Sequence, residues 1–175
     1  MYPYLFQKPL SSRGLSPSGS YIPCKKERYA PRAGVGFEDQ LNMNRILTSL
    51  GVIQAFVCLG AFPAGLLMML YPDGSGLGIP LYLLEGSPFV DYAVPGFFLF
   101  LINGLFQGIG AVVSFKKKPY AGNFGFGLGI LLMLWITIQV YFIGLISFLQ
   151  PLYFGVGLAE SILGVRLLKM FRKEK

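Results

Sequence analysis

Four long apolar stretches, separated by segments whose charges alternate in sign, constrain the fold of this chain more than any other feature. The segment before the first stretch is basic, the next connection is acidic, the third carries consecutive lysines, the fourth is uncharged and the tail is basic again. Positive charge accumulates on the cytoplasmic side of membrane proteins. The pattern therefore predicts an all-α, four-helix transmembrane bundle with both termini in the cytoplasm.

The lengths of the apolar stretches set the predicted spans, because a helix needs about 20 apolar residues to cross the hydrocarbon core of a bilayer. We expect one membrane domain, residues 45–175, with spans at about 46–71, 95–115, 124–149 and 151–170. Gln150 followed by Pro151 predicts a very tight outer turn, which would make the last two helices antiparallel neighbours.

The acidic connection between the first two spans contains two local signals. Residues 79–84 form an apolar run that is too short to span, so we expect them to lie along the membrane interface. Ser87 followed by Pro88 predicts a helix start, because a hydroxyl caps a first turn and proline suits the first helical position.

Residues 1–44 are rich in Ser, Pro, Gly, Tyr and basic residues, without lasting apolar periodicity. That composition predicts a flexible, basic cytoplasmic tail. A second interpretation is that translation starts at Met43, because the run from Met43 to Leu47 is typical of the start of a small membrane protein. Both interpretations stay open at this point.

Composition excludes several classes of function. Hydrophobic residues make up 54% of the chain, which is too many for an ordinary soluble domain. The net charge of +7 comes mostly from residues on one predicted side of the membrane, so we expect the lipid bilayer and no nucleic acid as a partner. Lys116, Lys117 and Lys118 are primarily a topology signal, with lipid headgroup binding as a second role.

Metal and catalytic chemistry lack their usual residues. The chain has no histidine, and of its two cysteines Cys24 lies in the tail and Cys58 in the first span. Zinc, haem, Ser-His and Cys-His sites depend mostly on histidine, and the predicted topology keeps the two thiols apart. We therefore expect no metal, no cofactor, no catalytic residue and no enzymatic activity.

Three polar side chains fall at a common predicted depth. Counted inward from the outer end of each span at about 1.5 Å per residue, Asn103, Gln139 and Glu160 all lie about 14 Å deep, near the middle of the bilayer. Gln107 lies one turn beyond Asn103 on the same helix face. We predict that these four residues handle a ligand or a proton. Trp135, one turn from Gln139, either flanks a ligand ring or packs in the core.

Glu160 is the sharpest of these candidates, because an acid inside a membrane is a functional candidate by default. No basic residue lies at its predicted depth, and burial disfavours the charged form, so we expect it to be protonated. One interpretation is proton or cation handling, or a hydrogen bond to a lipophilic ligand. The other is that Glu160 bonds Gln139 or Asn103 and locks the bundle.

Small residues mark helix faces on which backbones can approach closely. The fourth span presents one such face, and the second and third spans each contain a GxxxG spacing. The residues are Gly157, Ser161 and Gly164, the pair Gly104 and Gly108, and the pair Gly125 and Gly129. We expect these faces to serve helix packing, and a membrane protein partner or a homo-oligomer is compatible with them.

Three stretches of the chain, residues 86–96, 135–139 and 149–154, resemble stretches of known proteins. They resemble small, uncharacterised four-helix integral membrane proteins of bacteria, over roughly Arg45 to Leu168. The general layout is also similar to that of DoxX-like four-helix proteins, as architecture only. The resemblance implies a bacterial cytoplasmic (inner) membrane and implies no activity.

These observations lead to three hypotheses about function. The first is a non-enzymatic membrane protein, either an accessory subunit or a binder of a lipid or another lipophilic ligand. The second is a small proton-linked transporter or channel in which Glu160 carries the proton. The third, a membrane enzyme, has the least support because Glu160 has only amides near its predicted depth.

Overall fold

The computed structural model of the protein describes residues 36–173, which are helical and contain no strand. The connections are short except for the one between Leu70 and Ala93, which contains 3-10 helices at Ser75–Leu77 and Leu81–Leu84. The first helix, α1, spans Phe37–Leu70. The second is composite, with α2 at Ala93–Phe98, a π-helical segment at Leu99–Phe106 and α3 at Gln107–Phe115. Helices α4 and α5 span Ala121–Ile143 and Leu149–Lys173. The prediction of an all-α, four-helix fold is confirmed.

All four helices are long and apolar enough to cross a membrane. They contain Glu38–Leu70, Ala93–Phe115, Ala121–Ile143 and Leu149–Arg172, and each includes an apolar window with few charges. Many large apolar side chains point away from the protein, as at Leu59, which is 76% exposed. Such a surface suits lipid and would be a liability in water. The fold is that of a multi-pass membrane protein.

The helices pack as two antiparallel pairs. Helix α1 lies along the whole composite second helix, and α4 lies along α5. Contacts between α1 and α5, and between α3 and α4, join the two pairs. At one end, Met43, Leu47 and Leu50 pack with Leu167 and with residues of α3 and α4. This end carries Arg45, Lys116, Lys117, Lys118, Arg166 and Lys169, and we call it the basic end. The opposite, acidic end carries Asp73, Glu85 and Asp91.

Glycines set the distance between α4 and α5. A Cβ built on Gly129 would lie 2.5 Å from the carbonyl oxygen of Gly157 and would also meet Ser161. Gly164 packs in the same way against Gly122 and Gly125. These contacts show that the glycines of the third and fourth spans are used for packing inside the chain.

The other GxxxG spacing is also used inside the chain. A Cβ on Gly104 would lie 3.0 Å from the Cα of Phe62, and one on Gly108 would lie 3.1 Å from the Sγ of Cys58. Both neighbours are on α1. The small residues of the composite helix thus allow α1 to approach its backbone closely.

The connection between α4 and α5 differs from the predicted turn. Helix α4 ends at Ile143, because Gly144 adopts a left-handed φ of 71°, and α5 begins at Leu149. Pro151 lies in the first turn of α5, where a missing N–H breaks no helical hydrogen bond. The Gln150 Oε1 accepts from the backbone N–H of Ile146 at 3.0 Å. The prediction of a tight turn at Gln150 and Pro151 is therefore wrong, and the turn lies at 144–148.

The helix start predicted at Ser87 and Pro88 is also wrong. Helix α2 begins at Ala93, and Ser87 instead closes a small turn by accepting from the N–H of Phe89 at 3.2 Å. The carboxylate of Asp91 accepts from the N–H of Ala93 at 3.0 Å and so supplies the acceptor at the helix start. Burial raises the pKa of Tyr92, whose hydroxyl donates to the carbonyl of Pro80 at 3.0 Å. The acidic connection is held by its own hydrogen bonds.

Helix α1 starts earlier than predicted. Residues 37–44, which the sequence analysis placed in a flexible tail, belong to α1, and Met43 is buried against the other helices. The remainder of the predicted tail, residues 1–35, lies outside the described residues. Met43 packs one turn before Leu47 in the same cluster, which accounts for helical structure around Met43.

Candidate functional site

Polar side chains of the helices collect in two neighbouring places. The first, which we call the Glu160 cluster, contains Gln54 from α1, Gln107 and Ser114 from α3, and Glu160 from α5. The second, which we call the Asn103 cavity, lies between α1, the π-helical segment, α4 and the beginning of α5. Asn103 and Gln107 belong to adjacent turns of the composite helix, so the two places are close together.

The Glu160 cluster is bonded across helices. The Nε2 of Gln107 donates to the Oε2 of Glu160 at 2.9 Å, and the hydroxyl of Ser114 donates to the Oε1 of Gln54 at 2.8 Å. Each of the four side chains has at most 1% of its surface exposed. The Gln54 amide lies beside the Glu160 carboxyl without reaching hydrogen-bond geometry. The cluster therefore ties α1, α3 and α5 together by polar contacts in an apolar interior.

Glu160 is the one acidic or basic residue among the buried side chains of residues 36–173. Its Oε1 has no hydrogen-bond partner within that range. A charged carboxylate in this environment would lack the solvation that water gives it, and a proton on the carboxyl would remove the charge. The arrangement is chemically suited to holding a proton.

The Asn103 cavity is a half-open, mainly apolar space of about 220 Å³. Small and branched side chains of α1 and α4 form much of its wall, and the polar lining comes from the composite helix, α4 and α5. The apolar wall includes Val57, Ala61, Ala64, Leu99, Leu132 and Ile136, and the residues with a polar group are Asn103, Trp135, Gln139, Gln150 and Tyr153. None of the described residues that line it is Asp, Glu, Lys or Arg.

Two polar groups of this cavity are buried without a partner. Asn103 is 1% exposed, and neither its Nδ2 nor its Oδ1 forms a hydrogen bond with any described residue. The indole N–H of Trp135 is likewise unpartnered in the described part of the chain. Gln150 differs, because its amide is occupied by the backbone of Gly144, Ile146 and Ser147. The Asn103 amide and the Trp135 N–H are thus the groups that a guest molecule would satisfy.

The π-helical segment explains how two amides one turn apart serve different places. In a regular α-helix, Asn103 and Gln107 would share one face. The wider π turn, Leu99–Phe106, changes that register, and such segments are frequent at functional sites. Asn103 consequently lines the cavity while Gln107 bonds Glu160.

The structure separates the residues that the sequence analysis grouped together. In the interpretation that Glu160 locks the bundle its partner was Gln139 or Asn103, whereas the structure shows a bond to Gln107. Gln139 and Asn103 both line the cavity, and so does Trp135, which the sequence left open as a ligand or core residue. The lysine triplet, at 116–118, follows the end of α3, where Lys117 has a positive φ of 51°.

Sequence reasoning missed several members of the two places. Gln54 was recognisable as an amide inside an apolar span, which is a polar group that must be bonded or turned inward. Ser114 carried no signal, because a serine beside the lysine triplet resembles a residue at the end of a span. Tyr153 carried no signal of its own, because an aromatic residue near the start of a span is common at membrane interfaces.

The chain matches no protein-family model, no curated protein and no solved structure. No group of three or more His, Cys, Asp or Glu side chains that could hold a metal ion occurs among the residues searched, 36–173. The Glu160 cluster and the Asn103 cavity are therefore the features of the molecule that point to a function.

Proposed function

We propose that this protein is a non-enzymatic membrane protein that binds a lipophilic molecule or lipid in the Asn103 cavity. The observation that carries the proposal is the buried Asn103 amide, which has no partner among residues 36–173 and lines a mainly apolar space. Ligand sites are usually apolar pockets with a few polar groups that fix the orientation of the guest. The cavity has this composition.

The unpaired amide of Asn103 lowers the stability of the protein without a guest. A buried donor or acceptor without a partner costs about 1–3 kcal/mol. A guest that hydrogen-bonds Asn103 recovers part of this cost, and its apolar surface adds about 25 cal/mol for each Å² removed from water. A role as an accessory subunit is compatible with such binding, but a partner helix would have to dock outside the glycine faces that pack inside the chain.

The proposal is tested by mass spectrometry of the full chain purified in nanodiscs, with extraction of the lipophilic molecules that remain bound. We expect a molecule enriched with the wild type and depleted with Asn103→Leu. Asn123→Leu is the matched control, because Asn123 is an exposed amide of α4 away from the cavity lining. Equal recovery from the wild type and Asn103→Leu would overturn the proposal.

We further propose that the protein resides in a bacterial cytoplasmic membrane with the basic end in the cytoplasm. The support is the opposite charge of the two ends, with the lysine triplet, 116–118, at one and Asp73 and Asp91 at the other. In a background without Cys24 and Cys58, an impermeant maleimide should label Ser75→Cys on intact cells. It should label Lys118→Cys only after permeabilisation, and the reverse pattern would contradict this orientation.

The second candidate function is proton-linked transport or conduction through Glu160. It is favoured by one observation, an acid that is fully buried and bonded to Gln107 across a helix interface. Proteoliposomes with an internal pH dye should then show proton uptake down an imposed gradient, and Glu160→Gln should abolish it while leaving the fold intact. Wild-type protein without uptake at any gradient would eliminate this candidate.

A further inference from the structure

The Asn103 cavity discriminates against charged headgroups. The described residues of its lining include amides, an indole and a phenol, and no acidic or basic side chain. A phosphate or carboxylate placed there would lose its hydration without gaining a counter-charge, which is among the costliest forms of burial. The head of a guest must therefore be uncharged.

The volume of the cavity limits the size of that head. A cavity of about 150 Å³ accommodates benzene. The Asn103 cavity, at about 220 Å³, has room for one six-membered ring with small substituents. An entire lipid does not fit, so a long tail must leave the cavity and lie against the outside of the helices.

The polar groups of the cavity specify a complementary pattern on the head. The Trp135 N–H is a donor, and the Asn103 amide offers one donor group and one acceptor. A head that pairs each of the two donors with its own acceptor needs two acceptor atoms, and a donor on the head would in addition pair the Oδ1 of Asn103. The aromatic rings of Trp135 and Tyr153 in the lining also favour a flat head, since flat rings stack well on aromatic side chains.

The rim of the cavity indicates where the tail leaves. Tyr153 of α5 reaches Gly60 of α1, and a Cβ on Gly60 would lie 2.6 Å from the Tyr153 hydroxyl. The Tyr153 ring also stacks near Phe56, with centroids 6.0 Å apart. Gly60 and Leu149 are lining residues that are exposed at the surface. The exposed lining residues thus belong to α1 and α5, and we place the opening beside Tyr153, at the surface between these two helices.

Together these four observations lead to an inference that deepens the proposed function and rests on it. We infer that the guest of the Asn103 cavity is a lipophilic molecule with a flat, uncharged, ring-sized head that carries two or more hydrogen-bond acceptors. Its acceptors lie at Asn103 and Trp135, and its tail leaves between α1 and α5. Ring ketones, para-quinones and alkoxyphenols have this chemistry, whereas phospholipids and fatty carboxylates do not.

The test uses Trp135, which is the one tryptophan of the chain. Benzoquinones quench indole fluorescence on contact, so binding of decyl-para-benzoquinone can be read at this residue in phosphatidylcholine nanodiscs. We expect a saturable quenching component in the wild type. Asn103→Leu should raise the half-saturating concentration about tenfold, because it removes the amide hydrogen bonds. Asn123→Leu should leave it unchanged.

Two competitors and one further variant separate the contribution of the head to binding from that of the tail. Decanoate and decylcyclohexane have comparable apolar chains with a charged head or no polar head, and neither should displace the quinone. Ala64→Phe fills the lining and should remove the saturable component even if Asn103→Leu does not fold. Displacement by decanoate as strong as self-displacement would overturn the inference about the head.

Failure of this inference is distinguishable from failure of the proposed function. If the quinone gives no saturable quenching but a lipophilic molecule still co-purifies in an Asn103-dependent way, the head class is wrong and the cavity is still a binding site. If neither is found, both the inference and the proposed function fail.

Discussion

The Glu160 cluster and the Asn103 cavity lie one helical turn apart and differ in how their buried side chains are bonded. In the cluster, Gln107 bonds Glu160 and Ser114 bonds Gln54, across three helices, although one polar atom each of Gln54, Gln107 and Glu160 has no partner among the described residues. In the cavity, the Asn103 amide has no partner among the described residues, although it is 1% exposed. Side chains that bond one another hold a fold together, whereas an amide with neither its donor nor its acceptor paired reduces stability, and we assign such an amide to a guest. The contrast separates a structural site from a binding site.

The largest expected effect on stability comes from a displacement of α5, which carries Glu160. Gly129→Ala should destabilise the protein by about 3 kcal/mol, because the added Cβ would overlap the backbone of Gly157 and the side chain of Ser161. The displaced α5 would also pull Glu160 away from Gln107. Unfolding in mixed detergent micelles measures the loss.

Gly127→Ala is the matched control for this variant. Gly127 is on the same helix and a Cβ there would meet nothing within 4 Å. It should be neutral or stabilising by up to about 1 kcal/mol, because alanine favours helix over glycine. Equal losses for the two variants would show that the glycine contact does not position α5.

The next effect concerns the bond that defines the cluster. Gln107→Leu should lower the free energy of unfolding by about 2 kcal/mol, since the Oε2 of Glu160 loses its donor and stays buried. In the double variant Gln107→Leu, Glu160→Leu, most of this loss should be recovered, because both polar groups are then gone. A double variant as unstable as the single one would mean that packing, not the hydrogen bond, explains the loss.

A smaller effect is expected at the other bond of the cluster. Ser114→Ala and Gln54→Leu should each be mildly destabilising, and their double-mutant cycle should give a coupling of about 0.6 kcal/mol, typical of interhelical hydrogen bonds in membranes. Purely additive losses would show that the 2.8 Å contact between these side chains contributes nothing to stability.

The sequence was sufficient for the architecture because apolar length is a strong and local signal. Four spans follow from it directly, and four helices of that kind are present. Helix ends were less accessible, since the apolar run continues past Ile143 while the left-handed φ of Gly144 stops the helix. The acceptor for the start of α2 came from Asp91 and not from the serine that precedes a proline.

The predicted grouping of site residues depended on where each helix ends, and it was wrong where those ends were wrong. The depth of Gln139 was counted from Leu149, but α4 ends at Ile143, which places Gln139 one turn from the helix end. The shared face of Asn103 and Gln107 assumed a regular α-helix, and the π-helical segment removes that assumption. A π turn has no reliable sequence signal, so the partner of Glu160 was not predictable.

The smallest change in stability is also the one that discriminates best between the two places. Asn103→Leu removes a buried amide that bonds no described residue, and it fills apolar space beside Val57 and Leu132. It should therefore be neutral or stabilising, by up to about 1 kcal/mol, in protein stripped of bound lipophiles. The same substitution one turn later, Gln107→Leu, should destabilise, although both replace a buried amide with leucine. The comparison needs no knowledge of the guest, because it uses only the unfolding of the two delipidated variants. A clear loss of stability in Asn103→Leu would mean that this amide is bonded in the folded protein, and the Asn103 cavity would then be a structural site like the Glu160 cluster.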